Sequence, residues 1–156
     1  MLLRGLVDED FLQYRKASMF LIFPFCSFKC DKEAGVAVCQ NSALAKEKII
    51  ECEAADLVDR YLQNDLTSAV VCGGLEPMES FEELEEFVRL LRLKSEDPVI
   101  IYTGFNPEEI PDKIKRLRGF GNIIVKFGRF IPNAPSRFDK ILGVTLASDN
   151  QYARAL

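Results

Sequence analysis

Short apolar runs that alternate with amphipathic stretches constrain the fold of this chain more than any other feature. Each run predicts a buried β-strand, because it is a short continuous apolar segment bounded by turn-forming or polar residues. The predicted strands cover residues 18–24, 68–72, 98–102, 122–126 and 140–146. Residues 48–52 fit either a short strand or the start of a helix.

Helices are predicted between these strands, at residues 54–63, 79–93 and 107–117. The stretch 79–93 is the clearest, because its apolar residues recur at helical spacing. Acidic residues also crowd its first turns and basic residues its last, which suits the helix dipole. Its predicted buried face consists of Phe81, Leu84, Phe87, Val88 and Leu91. Strands that alternate with helices indicate βαβ units and a parallel sheet with right-handed crossovers.

Composition narrows the chemistry that the chain can perform. Its 156 residues, 48% of them hydrophobic, predict one domain over residues 1–156 with a core of its own. The absence of histidine excludes a Ser-His-Asp triad, a Cys-His pair and any His-ligated metal. A net charge of −4 without a basic run argues against nucleic-acid binding.

A cytoplasmic location is expected from the first residues and the thiols. Residues 1–16 carry several charges and do not resemble a secretory signal, and the uncharged stretch 17–28 is too short to cross a membrane. Clustered cysteines in such a protein bind metal or perform redox chemistry more often than they form disulfides.

Polar or glycine-rich segments follow the predicted strands. Carboxyl ends of parallel strands share one edge of a sheet, and α/β proteins bind ligands there. We therefore expect these segments to gather on one rim. They are the cysteine segment (residues 25–41), then residues 73–74, 103–105, 128–129 and 148–151.

The cysteine segment holds three thiols, Cys26, Cys30 and Cys39. Soft thiolates without histidine suit an iron–sulfur cluster or a structural zinc ion. A closed zinc site needs a fourth ligand, either Cys52 or Cys72. A [4Fe–4S] cluster held by three thiolates would leave one iron open to an amine and a carboxylate. A third possibility is that all of them are ordinary buried thiols.

Residues 73–77 (Gly-Gly-Leu-Glu-Pro) follow the second predicted strand. Paired glycines let the backbone approach a ligand closely, and Glu76 could accept a hydrogen bond from an ammonium group. The alternative is a tight turn that leads into the next helix.

The cysteine segment followed by this Gly-Gly-x-Glu-Pro segment resembles the radical S-adenosylmethionine superfamily. Residues 101–105 (Ile-Tyr-Thr-Gly-Phe), residues 148–151 (Ser-Asp-Asn-Gln) and the short length resemble the anaerobic ribonucleoside-triphosphate reductase activating proteins, which are glycyl-radical activases. The resemblance covers about residues 18–151. It implies a parallel sheet of βα units that forms an incomplete, TIM-like barrel.

The resemblance also assigns site residues. Metal ligands would be Cys26, Cys30 and Cys39, and Lys126 and Arg129 could meet the ligand's carboxylate or ribose. Residues in contact with S-adenosylmethionine would be Gly73, Gly74 and Glu76 at its amino group, Tyr102 and Thr103 near the adenosine, and Asn150 and Gln151 closing the site.

In the family the reduced [4Fe–4S] cluster cleaves S-adenosylmethionine to a 5′-deoxyadenosyl radical, which removes hydrogen from a glycine of a large partner enzyme. The resemblance therefore implies an enzyme, a glycyl-radical partner similar to anaerobic ribonucleotide reductase, and a flavodoxin- or ferredoxin-type reductant. No nucleic-acid or membrane partner is expected.

The sequence departs from the family pattern in the spacing of the cysteines, in the Gly-Gly-Glu-Pro segment and in lacking the aromatic residue that the family commonly has between its second and third cysteines. The family separates its cysteines by three and then two residues, whereas residues 31–38 here form an insertion, which makes Cys72 a reserve third ligand. Leu75 is an extra residue in the Gly-Gly-Glu-Pro segment. Two other functions stay open: a superfamily enzyme acting on a small molecule, such as a deazaguanine precursor, or a peptide, and a non-catalytic zinc-stabilised binding module.

Overall fold

A six-stranded sheet forms the centre of the molecule in a computed structural model that describes residues 1–156. The strands are β1 (Leu2–Leu3), β2 (Gly5–Asp10), β3 (Ser18–Phe23), β4 (Ile50–Glu51), β5 (Val70–Gly74), β6 (Val99–Tyr102), β7 (Ile123–Phe127), β8 (Arg137–Asp139), β9 (Val144–Leu146) and β10 (Tyr152–Ala155). The α-helices are α1 (Lys29–Ala34), α2 (Ala54–Leu62), α3 (Phe81–Arg92) and α4 (Pro111–Arg118). Single 3₁₀ turns occupy Ser42–Lys46, Pro77–Ser80 and Pro107–Glu109.

The order of strands in the central sheet is β10-β7-β6-β5-β3-β2. Strands β3, β5, β6 and β7 are parallel, as the four apolar runs predicted. Strands β2 and β10 flank them on antiparallel edges, and neither was predicted. The molecule is therefore a mixed α/β protein with a mostly parallel sheet.

The structure does not show the expected TIM-like barrel, because the sheet is open and its two edge strands do not pair with each other. The expected fifth parallel strand at residues 140–146 is also wrong, because only β9 is extended there and it pairs with β8 in a separate antiparallel hairpin. Asp139 explains the reversal: its Oδ1 accepts the amides of Ile141 and Leu142 at 2.9 and 3.0 Å. Gly143 then turns the chain with a φ of +74°, a conformation that favours glycine.

Helices α2, α3 and α4 pack on one face of the sheet and form the main core with it. Helix α3 buries all the residues of its predicted apolar face, and a 3₁₀ turn precedes its first residue. Helix α2, which was predicted over residues 54–63, buries Leu57, Val58 and Tyr61, whereas Leu62 at its end is exposed. Hydrophobic burial therefore fixes this side of the molecule.

The other face of the sheet is covered without a helix. A smaller apolar cluster joins Val71 and Ile100 of the sheet to Tyr14, Leu142 and Leu146. The loop between β2 and β3 and the β8–β9 hairpin thus cover this face. No helix in the structure has the length and apolar character needed to cross a membrane.

Candidate functional site

A cavity of about 390 Å³ lies at the carboxyl ends of the parallel strands. Its volume is within the range of small-molecule sites. Every residue assigned to metal or S-adenosylmethionine from the sequence lines it except Arg129 and Asn150. The lining residues among them are Cys26, Cys30, Cys39, Gly73, Gly74, Glu76, Tyr102, Thr103, Lys126 and Gln151.

All three thiols of the cysteine segment are free and partly buried. Burial raises the pKa of Cys26 to about 12, although the Phe28 amide donates to its sulfur at 3.3 Å and opposes the shift. Burial also raises the pKa of Cys39, and the neighbouring Cys30 adds to that effect. Desolvation therefore keeps Cys26 and Cys39 in the neutral thiol form, and a metal bound at these sulfurs would have to displace their protons.

Helix α1 carries Cys30 and buries no residue, and charged side chains join it to its surroundings. Lys29 forms an ion pair with Glu109 at 3.5 Å and lies 4.2 Å from the ring centroid of Phe105. Glu33 contacts Arg129 at 3.2 Å, and Arg129 also pairs with Glu109. These contacts join the helix to the loops that follow β6 and β7.

The two remaining thiols are not at the cavity. Cys72 points into the main core and is fully buried, so the structure does not bring the reserve ligand to the other three. The thiol of Cys52 lies 3.7 Å from the carbonyl oxygen of Met1. A closed zinc site with four thiolates is therefore not assembled.

The three thiols at the cavity do not form a site for a single metal ion. No group of three or more His, Cys, Asp and Glu side chains is placed to hold a single metal ion. An iron–sulfur cluster has a different requirement, because each thiolate binds a different iron and the sulfurs need not converge on one point. Three soft thiols on one cavity therefore fit a cluster by donor chemistry.

The Gly-Gly segment ends β5 at the cavity wall. A Cβ atom on Gly74, whose φ is +83°, would lie 2.5 Å from Cγ2 of Ile22, so only glycine fits there. The Glu76 amide donates to the Phe25 carbonyl oxygen at 2.8 Å. This bond joins the Gly-Gly segment to the start of the cysteine segment.

Glu76 is 6% exposed and accepts hydrogen bonds at both carboxylate oxygens. Oε1 accepts from the Thr103 hydroxyl at 2.7 Å and the Met78 amide at 3.1 Å, and Oε2 accepts from the Gly104 amide at 2.8 Å. Burial raises the pKa of Glu76, and these three donors oppose that shift. Four lone-pair directions serve three donors, so the carboxylate has capacity for one further donor.

Lys126 adds a cation to the same cavity. It is 7% exposed and donates to the Gly128 carbonyl oxygen at 2.9 Å, which uses one of its three protons. Burial lowers the pKa of Lys126 to about 8, with Glu76 and Cys30 opposing the shift. The cavity therefore contains a buried carboxylate and a buried amine.

Tyr102 and Thr103 follow each other at the end of β6 but have different roles. The Tyr102 hydroxyl donates to the Gln13 carbonyl oxygen at 2.5 Å, which holds the β2–β3 loop beside the cavity. Burial raises the pKa of Tyr102. The Tyr102 ring lines the cavity, whereas the Thr103 hydroxyl orients the Glu76 carboxylate.

The Asn-Gln pair stabilises the loop after β7, and Gln151 also lines the cavity. Gln151 Nε2 donates to the Gly128 carbonyl oxygen at 3.2 Å, and its Oε1 accepts the Ser148 amide at 3.2 Å. Asn150 Nδ2 donates to the Arg129 carbonyl oxygen at 2.9 Å and is exposed. Asn150 is thus a support for the cavity wall.

Sequence reasoning missed several lining residues. Gln13 lies on the β2–β3 loop, and Asn41 donates from Nδ2 to the Gly74 carbonyl oxygen at 2.7 Å. Neither position carries a motif, because each reaches the cavity only through the tertiary fold. The other unassigned lining residues include Leu12, Phe20, Leu44, Phe130 and residues 144–147.

The fold and the site together define a class: an α/β protein with a thiol-lined cavity at the carboxyl ends of parallel strands. Comparisons with protein-family models, curated proteins and solved structures found no match to this chain. The residues of the cavity are therefore the main indication of what the protein does.

Proposed function

We propose that this protein is a radical S-adenosylmethionine enzyme. In this proposal Cys26, Cys30 and Cys39 hold a [4Fe–4S] cluster and the adjoining part of the cavity binds S-adenosylmethionine. The observation that carries the proposal is that these thiols line one cavity with Gly73, Gly74, Glu76, Tyr102, Thr103 and Gln151. The sequence distributes these residues over four separate segments.

The charges of the cavity support a ligand with an amino-acid moiety. Glu76 has one acceptor position left for an ammonium group, and Lys126 has donors left for a carboxylate. Both side chains are almost completely buried, so an ion that pairs with either one gains more than it would in water. The methionine part of S-adenosylmethionine carries both groups.

The chemistry that a bound cluster supplies is one-electron reductive cleavage of the sulfonium. The chain's own residues bind and orient. Gly74 lets the end of β5 pack closely on Ile22 at the cavity wall, Thr103 fixes the Glu76 carboxylate, and Tyr102 holds the β2–β3 loop that helps to exclude water.

The proposed substrate is a glycine in a loop of a large partner enzyme, which makes the protein a glycyl-radical activase with a flavodoxin- or ferredoxin-type reductant. The parallel strands are adjacent in chain order and their helices pack on one face of the sheet. The βα units of a barrel have the same arrangement. Because the sheet does not close, the cavity is accessible to a protein loop. Leu12 lines the cavity and is 76% exposed, so it can contact such a loop.

The proposal is tested by anaerobic reconstitution with iron and sulfide. The wild-type protein should bind about four irons per chain. Its paramagnetic resonance signal after reduction should change when S-adenosylmethionine is added. A colourless protein that holds one zinc ion and no iron would contradict the proposal.

Cysteine variants give matched controls for the cluster. Each of Cys26→Ser, Cys30→Ser and Cys39→Ser should lose most of the iron, whereas Cys52→Ser should retain it because that thiol is not at the cavity. Iron loss in Cys52→Ser equal to that in Cys30→Ser would show that the iron is held elsewhere.

The activase step needs a separate measurement. The reduced protein should generate a glycyl radical, detected by paramagnetic resonance, on an anaerobic reductase of the same cell. If the protein cleaves S-adenosylmethionine but no glycyl radical forms, the protein is still a radical S-adenosylmethionine enzyme, and the proposed glycyl-radical partner is rejected.

A further inference from the structure

The insertion between Cys30 and Cys39 folds back on itself. Helix α1 ends at Ala34, and Gly35 follows in the left-handed region with a φ of +70°. A residue in this conformation after a helix turns the chain away from the helix axis. The following residues return to the first turn of α1, although Val36 at the tip is 63% exposed.

Asp31 receives the returning chain. Its Oδ1 accepts the amides of Val38 and Cys39, both at 2.8 Å. Two hydrogen bonds to one carboxylate are stronger than bonds between neutral groups. They close the insertion at the residue that carries the third thiol.

A second anchor follows Cys39 in the chain. The Asn41 side chain donates to the Gly74 carbonyl oxygen at 2.7 Å, and the Ser42 amide donates to the Cys39 carbonyl oxygen at 3.3 Å. Cys39 thus lies between an anchor on α1 and an anchor on the end of β5.

We propose that Asp31 is the positioning residue for Cys39. Its carboxylate holds the insertion closed, which brings the third thiol to the cavity that Cys26 and Cys30 line. The long spacing is thereby compatible with a three-thiol site. The role of Asp31 in iron binding rests on the proposed function. Its role in positioning Cys39 does not, because the accessibility of Cys39 can be measured without iron.

The test compares Asp31→Ala with Asp31→Asn in metal-free, reduced protein. Both variants remove the negative charge beside Cys39, but only asparagine keeps a side-chain oxygen that can accept the two amides. The probe is iodoacetamide, and mass spectrometry measures the alkylation rate of each cysteine.

Asp31→Ala should increase the alkylation rate of Cys39 about tenfold, because two bonds that hold it are lost. Asp31→Asn should stay within about threefold of the wild-type rate. The alkylation rate of Cys26 should be unchanged in both Asp31 variants, which would indicate that the fold is intact. Lys32→Ala, an exposed neighbour on α1, should match the wild type.

Equal Cys39 rates in Asp31→Ala and the wild type would overturn the inference. Equal acceleration in the alanine and asparagine variants would overturn it too, because charge alone would then explain the effect.

Iron content separates this inference from the proposed function. After anaerobic reconstitution Asp31→Ala should hold less iron than Asp31→Asn. A wild-type protein without iron would reject the proposed cluster, and the difference in alkylation would still decide the role of Asp31.

Discussion

The cysteine segment and the scaffold of parallel strands are held in different ways. Helix α3 of the scaffold buries Phe81, Leu84, Phe87, Val88 and Leu91. Helix α1 and the 3₁₀ turn Ser42–Lys46, which flank Cys39, bury no residue at all. Hydrophobic burial holds the scaffold, whereas hydrogen bonds and ion pairs hold the segment that carries the thiols.

This difference separates stability from site geometry. A segment with few buried apolar contacts opens locally at a lower free energy than the core does. Changes in the cysteine segment should therefore alter the site without unfolding the protein, and a bound metal would stabilise the segment more than the scaffold.

The largest expected effect lies in the scaffold. Phe87→Ala removes a fully buried ring from α3 and should lower the free energy of unfolding by about 3 to 5 kcal/mol. Val36→Ala, in the cysteine segment, should change it by less than about 0.5 kcal/mol. Urea denaturation of the metal-free proteins measures both values. Similar losses in the two variants would erase the distinction between the regions.

Lys126 belongs to the scaffold, and burial of its positive charge destabilises the folded protein. Below pH 8 the folded protein holds a desolvated ammonium, so Lys126→Met should raise the free energy of unfolding at pH 7 by about 1 to 3 kcal/mol.

The sign of the pH dependence follows from the two pKa values. Between the folded pKa of about 8 and the ordinary value of 10.5, the unfolded chain binds more protons than the folded one. The wild type therefore gains stability as the pH rises through this range, and the advantage of the methionine variant should shrink. Urea titrations at pH 7 and pH 10 test this; an advantage that grows toward pH 10 would contradict the lowered pKa.

The parts of the fold that the sequence predicts are those that burial determines. Four apolar runs coincide with β3, β5, β6 and β7, because strands covered on both faces must be apolar throughout. The edge strands β2 and β10 escaped prediction, since half-exposed strands such as Gly5–Asp10, with three acidic residues, carry no such run. The β8–β9 hairpin depends on bonds to Asp139, which apolar patterning does not reveal.

The site divides in the same way. Cys26, Gly73 and Thr103 reach the cavity because they lie at or just after the carboxyl ends of parallel strands, a rule that can be applied to the sequence alone. Cys39 follows no strand, and its position depends on hydrogen bonds made by Asp31 and Asn41. A sequence motif identifies such a residue only where the spacing between the cysteines matches a known pattern, and the spacing between Cys30 and Cys39 does not.

Arg129 provides a sharper test of how the cysteine segment is held. It contacts Glu33 of α1 and Glu109, so Arg129→Met should loosen α1 while it lowers the free energy of unfolding by only about 1 kcal/mol. Amide hydrogen exchange over residues 29–34 should increase, and exchange in α3 should not. Arg60→Met, which breaks an exposed pair with Asp8, is the control and should leave both helices unchanged. Faster exchange across α3 in Arg129→Met would show that the two regions are coupled.

Glu109 gives the smallest effect and the one most sensitive to acid. Its hydrogen bond with Arg129 lowers its pKa to about 2, from an ordinary value of 4.5. A lowered folded pKa stabilises the protein above the ordinary value, and that stabilisation is lost as the pH falls from 4.5 through 2. Because the side chain is 31% exposed, solvent screening should limit the effect of Glu109→Gln to less than about 1 kcal/mol at pH 6. Urea titrations of wild type and variant should show the difference closing between pH 4.5 and pH 2, with most of the change in the exchange of α1. A difference that widens in acid would mean that Glu109 is not paired with Arg129, and α1 would then be held by Glu33 and the Asp31 hydrogen bonds.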